Sequence, residues 1–219
     1  MQQLIIATKH ILTDTMNYRG EKLLTYKIEF PQFISPVYPK TAQRMNTYYK
    51  EKAQAFERHI RKILYRQAVE QYHYSQENGY PVMVYEAVQA YTITYISNLF
   101  VSLYTDQYTF TGGAHGTTVR TSETWNLPRG YILPLKALFP PQFNYRSYII
   151  RTIIDEIERQ NESGESVYFD DYKENVNNTF NENSFYLTPE GIVIYFQQYD
   201  IAPYSTGLPE FVIPYFIKR

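Results

Sequence analysis

Between Lys22 and Phe30 the chain alternates. Leu24, Tyr26, Ile28 and Phe30 fall on one side, and Thr25, Lys27 and Glu29 on the other. A period of two predicts a half-buried antiparallel strand. Gln3 to Leu12 reads as a strand before it, with turn residues at Asn17-Tyr18-Arg19-Gly20 between the two. Pro31, Pro36 and Pro39 are expected to end the second strand. The period then changes. From Lys40 to about Tyr74, Met45, Tyr49, Ala53, Phe56, Ile60, Ile63, Leu64 and Ala68 recur at spacings of three and four. That is one apolar stripe along a long amphipathic helix. Pro39 suits its first turn, Glu57 and Arg61 stand in the favourable i, i+4 order, and Asn78-Gly79-Tyr80-Pro81 stops the chain after it.

Val82 to Trp125 is dense in β-branched and aromatic residues and divides into three strands, about 82–96, 99–110 and 116–125. The turns fall at Ser97-Asn98 and at Thr111-Gly112-Gly113-Ala114-His115-Gly116. A further turn at Leu127-Pro128-Arg129-Gly130 leads to Tyr131-Ile132-Leu133. Connections this short predict antiparallel neighbours. Pro140-Pro141 is read as opening a second helix, about 142–160, with Tyr145, Ile149, Ile153 and Ile157 on its buried line. A shorter helix is expected over 169–180. A hairpin over 185–187 and 191–196, a loop over 197–209 and a last strand over 210–217 complete the chain. Runs of strands separated by single helices, without alternating βαβ units, predict an α+β fold. An antiparallel sheet is covered by one long and one shorter helix. The absence of a flexible linker predicts two closely packed subdomains, 1–126 and 127–219, the first of order ββαβββ.

Composition adds little against this picture except in tyrosine. Of 219 residues, 24 are tyrosine and 17% are aromatic. Tyrosine suits half-buried strands, and it also suits a contact surface for a protein or a glycan. The net charge of −1 gives no sign of nucleic-acid binding. Basic residues gather between Lys40 and Arg66 and acidic ones between Asp155 and Glu182, as two solvated helix faces would. There is no cysteine, so disulfides, thiolate metal sites and cysteine nucleophiles are excluded. Leu4 to Ala7 is too short for a signal-peptide core, and no apolar run approaches a membrane span. The sequence as it stands is expected to carry no leader, anchor or compartment address.

Two loops are candidates for function. In the first, Gly112, Gly113 and Gly116 allow a tight crossover around His115. His115 is a weak catalytic candidate, and the other histidines, His10, His59 and His73, have no metal-site spacing to it. The loop lacks the pattern of a phosphate cradle, and no Gly-x-Ser-x-Gly elbow occurs. Neither a metal nor a cofactor is expected. In the second loop, Ala202 to Gly207, Pro203 fixes φ and Gly207 permits a reversal. Tyr204, Ser205 and Thr206 would then be presented on a stiff tip. Pro203, Tyr204, Ser205, Thr206 and His115 are the candidate ligand-binding residues, with Gly112, Gly113, Gly116 and Gly207 shaping the loops.

Tyr108 to Gly116, with its Gly-Gly-Ala-His-Gly core, resembles the signature of a bacterial domain of unknown biochemical function. Phe185 to Phe196, followed by Tyr199-Asp200-Ile201-Ala202-Pro203-Tyr204 and Gly207, is similar to the C-terminal signature of that domain. The resemblance covers nearly the whole chain. The family forms the outer domain of RsiV-type anti-sigma factors, which bind lysozyme, and an accessory domain of PdaC-type peptidoglycan deacetylases. It implies a non-catalytic sensing or binding module of the bacterial cell envelope, with a lysozyme-like protein or peptidoglycan as partner. An extracytoplasmic setting follows from the family, while the missing leader keeps the cytoplasm open. A hydrolase using His115 with a nearby carboxylate, and an intracellular scaffold, are the alternative expectations.

Overall fold

The computed structural model describes residues 5–164 and 167–215. Its elements run β1 (Ile6–Tyr18), β2 (Glu21–Ile34), α1 (Pro39–His59), a π turn (Ile60–Leu64), α2 (Tyr65–Asn78), β3 (Tyr85–Ile96), β4 (Phe100–Phe110), β5 (Thr117–Asn126) and β6 (Tyr131–Ile132). After a 3-10 turn at Leu135–Leu138 come α3 (Tyr145–Glu162), α4 (Tyr172–Thr179), β7 (Phe185–Leu187), β8 (Gly191–Tyr195), a 3-10 turn at Tyr204–Thr206 and β9 (Glu210–Pro214). The expected α+β class is found. A six-stranded sheet of order β1-β2-β3-β4-β5-β6 is accompanied by a three-stranded sheet of order β7-β8-β9. The start of the first predicted strand and the end of the last lie outside the described residues.

The chain forms two compact units. The first comprises 1–91, 105–118 and 128–130, and the second 92–104, 119–127 and 131–219. β3, β4 and β5 therefore contribute residues to both.

In the first unit, β1 and β2 pair antiparallel along their whole length, from Ile6 opposite Ile34 to Tyr18 opposite Glu21. Strand β2 runs through Pro31 rather than ending before it. Its parallel pairing with β3 spans only Leu24–Ile28 against Tyr85–Gln89. Past Ile28 the described residues place a strand on one side of it alone, where a missing N–H can be tolerated. The parallel pair makes β2, the long helix and β3 a single βαβ unit, the helix being a crossover of the length such pairing needs, within a sheet that is otherwise of the expected α+β kind. Leu23, Leu24, Tyr26 and Ile28 pack with Ala53, Phe56, Ile60, Leu64, Ala68, Tyr85 and Ala87 as one core. Phe30 is only half-buried and meets the His10 ring at 5.5 Å. From Pro31 the buried positions pass to the opposite face of the strand, at Pro31 and Phe33.

The long helix is continuous from Pro39 to Asn78 but passes through a π turn at Ile60–Leu64. The stripe explains the turn. Phe56, Ile60, Leu64 and Ala68 are all buried and all four residues apart. At 3.6 residues per turn each such step drifts about 40° around the axis, and a wider turn resets it. Gly79, in the left-handed region at φ 69°, closes the helix, and the Tyr80 amide donates to the Ser75 carbonyl at 2.9 Å.

In the second unit, Ile149, Ile153 and Ile157 of α3 are fully buried against Val176, Phe185, Ile192, Ile194, Phe211 and Ile213. Helix α3 begins at Tyr145 rather than Gln142. Gln142 has a positive φ of 65°, which no helix contains. Asn144 is the cap, its side chain accepting from the Ser147 amide at 3.2 Å.

Candidate binding surface

The glycine loop lies in the first unit. It joins β4 to β5, with Gly112 and Gly113 at φ 99° and 89°. These values are strained for any residue with a Cβ. Gly116 is needed for a different reason. A Cβ there would stand 2.4 Å from Tyr108 Cε2 and 2.5 Å from the Thr109 carbonyl oxygen. The loop is thus a crossover locked onto the end of β4. His115 is exposed, with Nδ1 3.1 Å from the carbonyl oxygen of Gly116. Among the described residues, no three His, Asp or Glu side chains converge as a metal ion would require.

The second loop lies in the second unit. Two bonds tie its base together. The Gln197 amide donates to Asp200 Oδ2 at 2.8 Å, and the Asp200 amide donates to the Gln197 carbonyl at 3.2 Å. Burial raises the pKa of Asp200, opposed by that bond from Gln197. Pro203, at φ −66°, leads into the 3-10 turn Tyr204–Thr206. Gly207 reverses the chain at φ 75° and ψ −131°. Thr206 Oγ1 donates to the Val167 carbonyl at 3.3 Å. Tyr204 is half-buried and Ser205 exposed. The Tyr204 ring centroid is 6.1 Å from that of Tyr199, itself 55% exposed and at φ 67°. Tyr199 is the member of this surface that sequence reading missed. The ring pair and Ser205 form a tip that carries two aromatic faces and three hydroxyls.

A third constellation supports this loop. Arg120 of β5 is buried, its guanidinium 3.7 Å from the centroid of Tyr104 and 5.8 Å from that of Tyr195. Its Nη1 donates to Glu210 of β9. The Tyr186 ring lies 5.2 Å from that of Tyr104, tilted by 46°, and its pKa is raised by burial first and then by Glu210. A second polar tie holds the same strands. Ser122 Oγ donates to the Phe185 carbonyl at 2.5 Å and lies 3.1 Å from the Tyr195 hydroxyl. The only hint in the sequence was a basic residue in the middle of a strand otherwise rich in threonine.

With the two loops and the two sheets in place, the chain can be compared with known families. Residues 136–216 match the family described as a protein of unknown function, DUF3298. Residues 19–118 match the family described as deacetylase PdaC. The first match contains the Ala202–Gly207 loop, and the second contains the glycine loop. No curated protein matches at the level of sequence. Among solved structures, a member of the DUF3298 family from Bacteroides fragilis superposes with a TM-score of 0.69 at 19% identity, covering 96% of this chain and 90% of its own. A DUF3298 family protein from Pseudomonas aeruginosa does so with a TM-score of 0.59 at 18% identity, covering 96% and 88%. At these identities the likeness is one of fold. No helix among the described residues is long and apolar enough to cross a membrane.

Proposed function

We propose that this protein is a non-catalytic binding or sensing module of the bacterial cell envelope. Its 197–209 loop contacts a lysozyme-like protein or a peptidoglycan glycan. The observation that carries this reading is the tip itself. Tyr199, Tyr204 and Ser205 are held by Pro203, a 3-10 turn and the Gln197–Asp200 bonds. A surface ordered before it meets its ligand loses less entropy on binding. Tyrosine supplies both an apolar face and a hydroxyl for that contact. The pair of matches, one to a family named for a deacetylase and one to DUF3298, supports the envelope setting. His115 enters this reading as a neighbour of a structural crossover, and Gly112, Gly113 and Gly116 as the residues that shape it.

The test is a calorimetric titration of the chain with lysozyme and, separately, with soluble peptidoglycan fragments. Saturable binding to one of them is the expected result. Heats indistinguishable from dilution for both, up to high micromolar concentration, would sink the proposal.

A further inference from the structure

The first unit contains a cleft that neither loop accounts for. Its lining is His10 of β1, Phe30, Pro31 and Gln32 of β2, and Asn46 and Lys50 of α1, around a volume of about 200 Å³. Below the several hundred Å³ of drug-sized sites, this is room for one sugar ring or one amino acid.

The walls are built rather than incidental. The apolar side is Phe30 with Pro31, and the His10 ring leans on Phe30 at 5.5 Å and 33°. Asn46 is immobilised. Its Oδ1 accepts from the Phe33 amide at 2.6 Å and its Nδ2 donates to the Phe33 carbonyl at 2.9 Å. Lys50 stands one helical turn further along the same face of α1. One cationic side chain, Lys50, lines the cleft beside the His10 imidazole, and no acidic side chain is in its lining among the described residues. The nearby Glu29 is held elsewhere, by Lys9 at 2.5 Å and Lys27 at 2.7 Å.

We infer that this cleft binds a small carboxylate on a compact body, Lys50 and the His10 edge receiving the carboxylate and Phe30 and Pro31 the apolar face of the ligand. A lysine ammonium suits this role as a flexible point charge with three donors, and the amide of Gln32 adds a donor and an acceptor for a hydroxyl or amide group. Two sources share this chemistry, a sugar acid and the carboxyl end of a peptide. The inference is independent of the loop reading above, because it concerns different residues in the other unit.

The experiment is an amide-resonance titration of the full chain with three probes: glucuronate, N-acetyl-alanine and uncharged methyl glucoside. The expected result is a saturable shift confined to residues around His10, Gln32 and Lys50 with one or both carboxylates, with a dissociation constant of about 1 mM for a ligand so small. The sugar acid and the amino-acid derivative tell the two sources apart by which binds more tightly. Lys50→Gln, on an exposed helix position, should leave the spectrum folded and weaken binding roughly tenfold, as loss of one charge-assisted contact does. No saturable shift with either carboxylate, equal binding of methyl glucoside, or undiminished affinity in Lys50→Gln would each overturn it.

Discussion

The side chain of Gln197 binds both backbone groups of Arg120. Nε2 donates to the Arg120 carbonyl at 2.8 Å, and Oε1 accepts from the Arg120 amide at 3.0 Å. Strand β6 reaches β5 at Trp125 and Asn126, so among the described residues no strand lies beside the outer edge of β5 at Arg120. The glutamine takes the place of one. Asn46 does the same for Phe33 of β2, beyond the point where β3 has left. In each unit a strand edge is thus closed by one side-chain amide, which satisfies main-chain groups that burial would otherwise penalise. At Gln197 the closure also anchors the base of the proposed binding loop.

Gln197→Ala should therefore do two things. It removes the 3.0 Å acceptor of the Arg120 amide and the shorter of two donors to the Arg120 carbonyl, which keeps the Tyr195 hydroxyl at 3.4 Å, for a loss of about 1–3 kcal/mol. It also frees the loop base, so affinity for the loop's ligand should fall although residue 197 is not a contact. Urea unfolding with an unchanged slope and a lower midpoint would register the first effect. A midpoint within error of the parent would refute the strand-surrogate role.

The two kinds of glycine in the 111–116 loop should separate in a stability assay. Gly116→Ala forces a methyl against the Thr109 carbonyl, which cannot swing aside as a side chain can. Overpacking of this sort costs about 1–3 kcal/mol. Gly112→Ala meets open space and suffers only from its φ of 99°, a cost of about 1–2 kcal/mol. Cavity-creating relief distinguishes them. Pairing Gly116→Ala with Tyr108→Ala should recover part of the loss, whereas Gly112→Ala gains nothing from it. Thermal melts of the four variants decide the point.

What could be read from the sequence, and what could not, follows the range of the interactions. The alternation at Leu24, Tyr26 and Ile28 and the stripe from Met45 to Ala68 are local patterns, and both elements form as they predict. Even the π turn was latent in the run of fours at Phe56, Ile60, Leu64 and Ala68. Pro31 misled because a proline's meaning depends on which strand flanks it, and pairing with β3 is decided 54 residues away, at Tyr85 opposite Leu24. Arg120 and Gln197 were passed over for the same reason. A basic residue in one strand and an amide 77 positions later acquire a joint role only through the fold. The loop at 203–207 was legible because proline and glycine act on their own backbone.

Alkaline pH should weaken the protein through its tyrosines. Burial, with the Glu57 carboxylate second, raises the pKa of Tyr26 to about 12, and burial raises that of Tyr215 to about 12. Both folded values lie above the unfolded one of about 10. The folded state thus holds these protons more tightly. The stabilisation is complete below pH about 10 and is lost as pH rises towards about 12. Urea midpoints across that window should fall, and phenolate absorbance should show a fraction of tyrosines ionising late. Tyr26→Phe should flatten the fall in the midpoint. A pH dependence identical to that of the parent would remove Tyr26 as a contributor.

Tyr204 and Tyr199 give the sharpest test of the proposed surface. If Tyr204 anchors the ligand, Tyr204→Ala should weaken binding of the lysozyme or peptidoglycan probe by about 1–3 kcal/mol. The stability change should be small, since its ring is half-buried and meets Tyr199 at the surface. Tyr199→Ala should act in the same direction. Because the rings are within 6.1 Å, the double variant should lose less than the sum of the two single losses. Tyr204→Phe isolates the hydroxyl. Loss of about 1 kcal/mol there would mark a hydrogen bond to the ligand, and no loss would assign the contact to the ring face. Unchanged affinity in both alanine variants, measured by the same calorimetric titration, would move the binding site off this loop altogether.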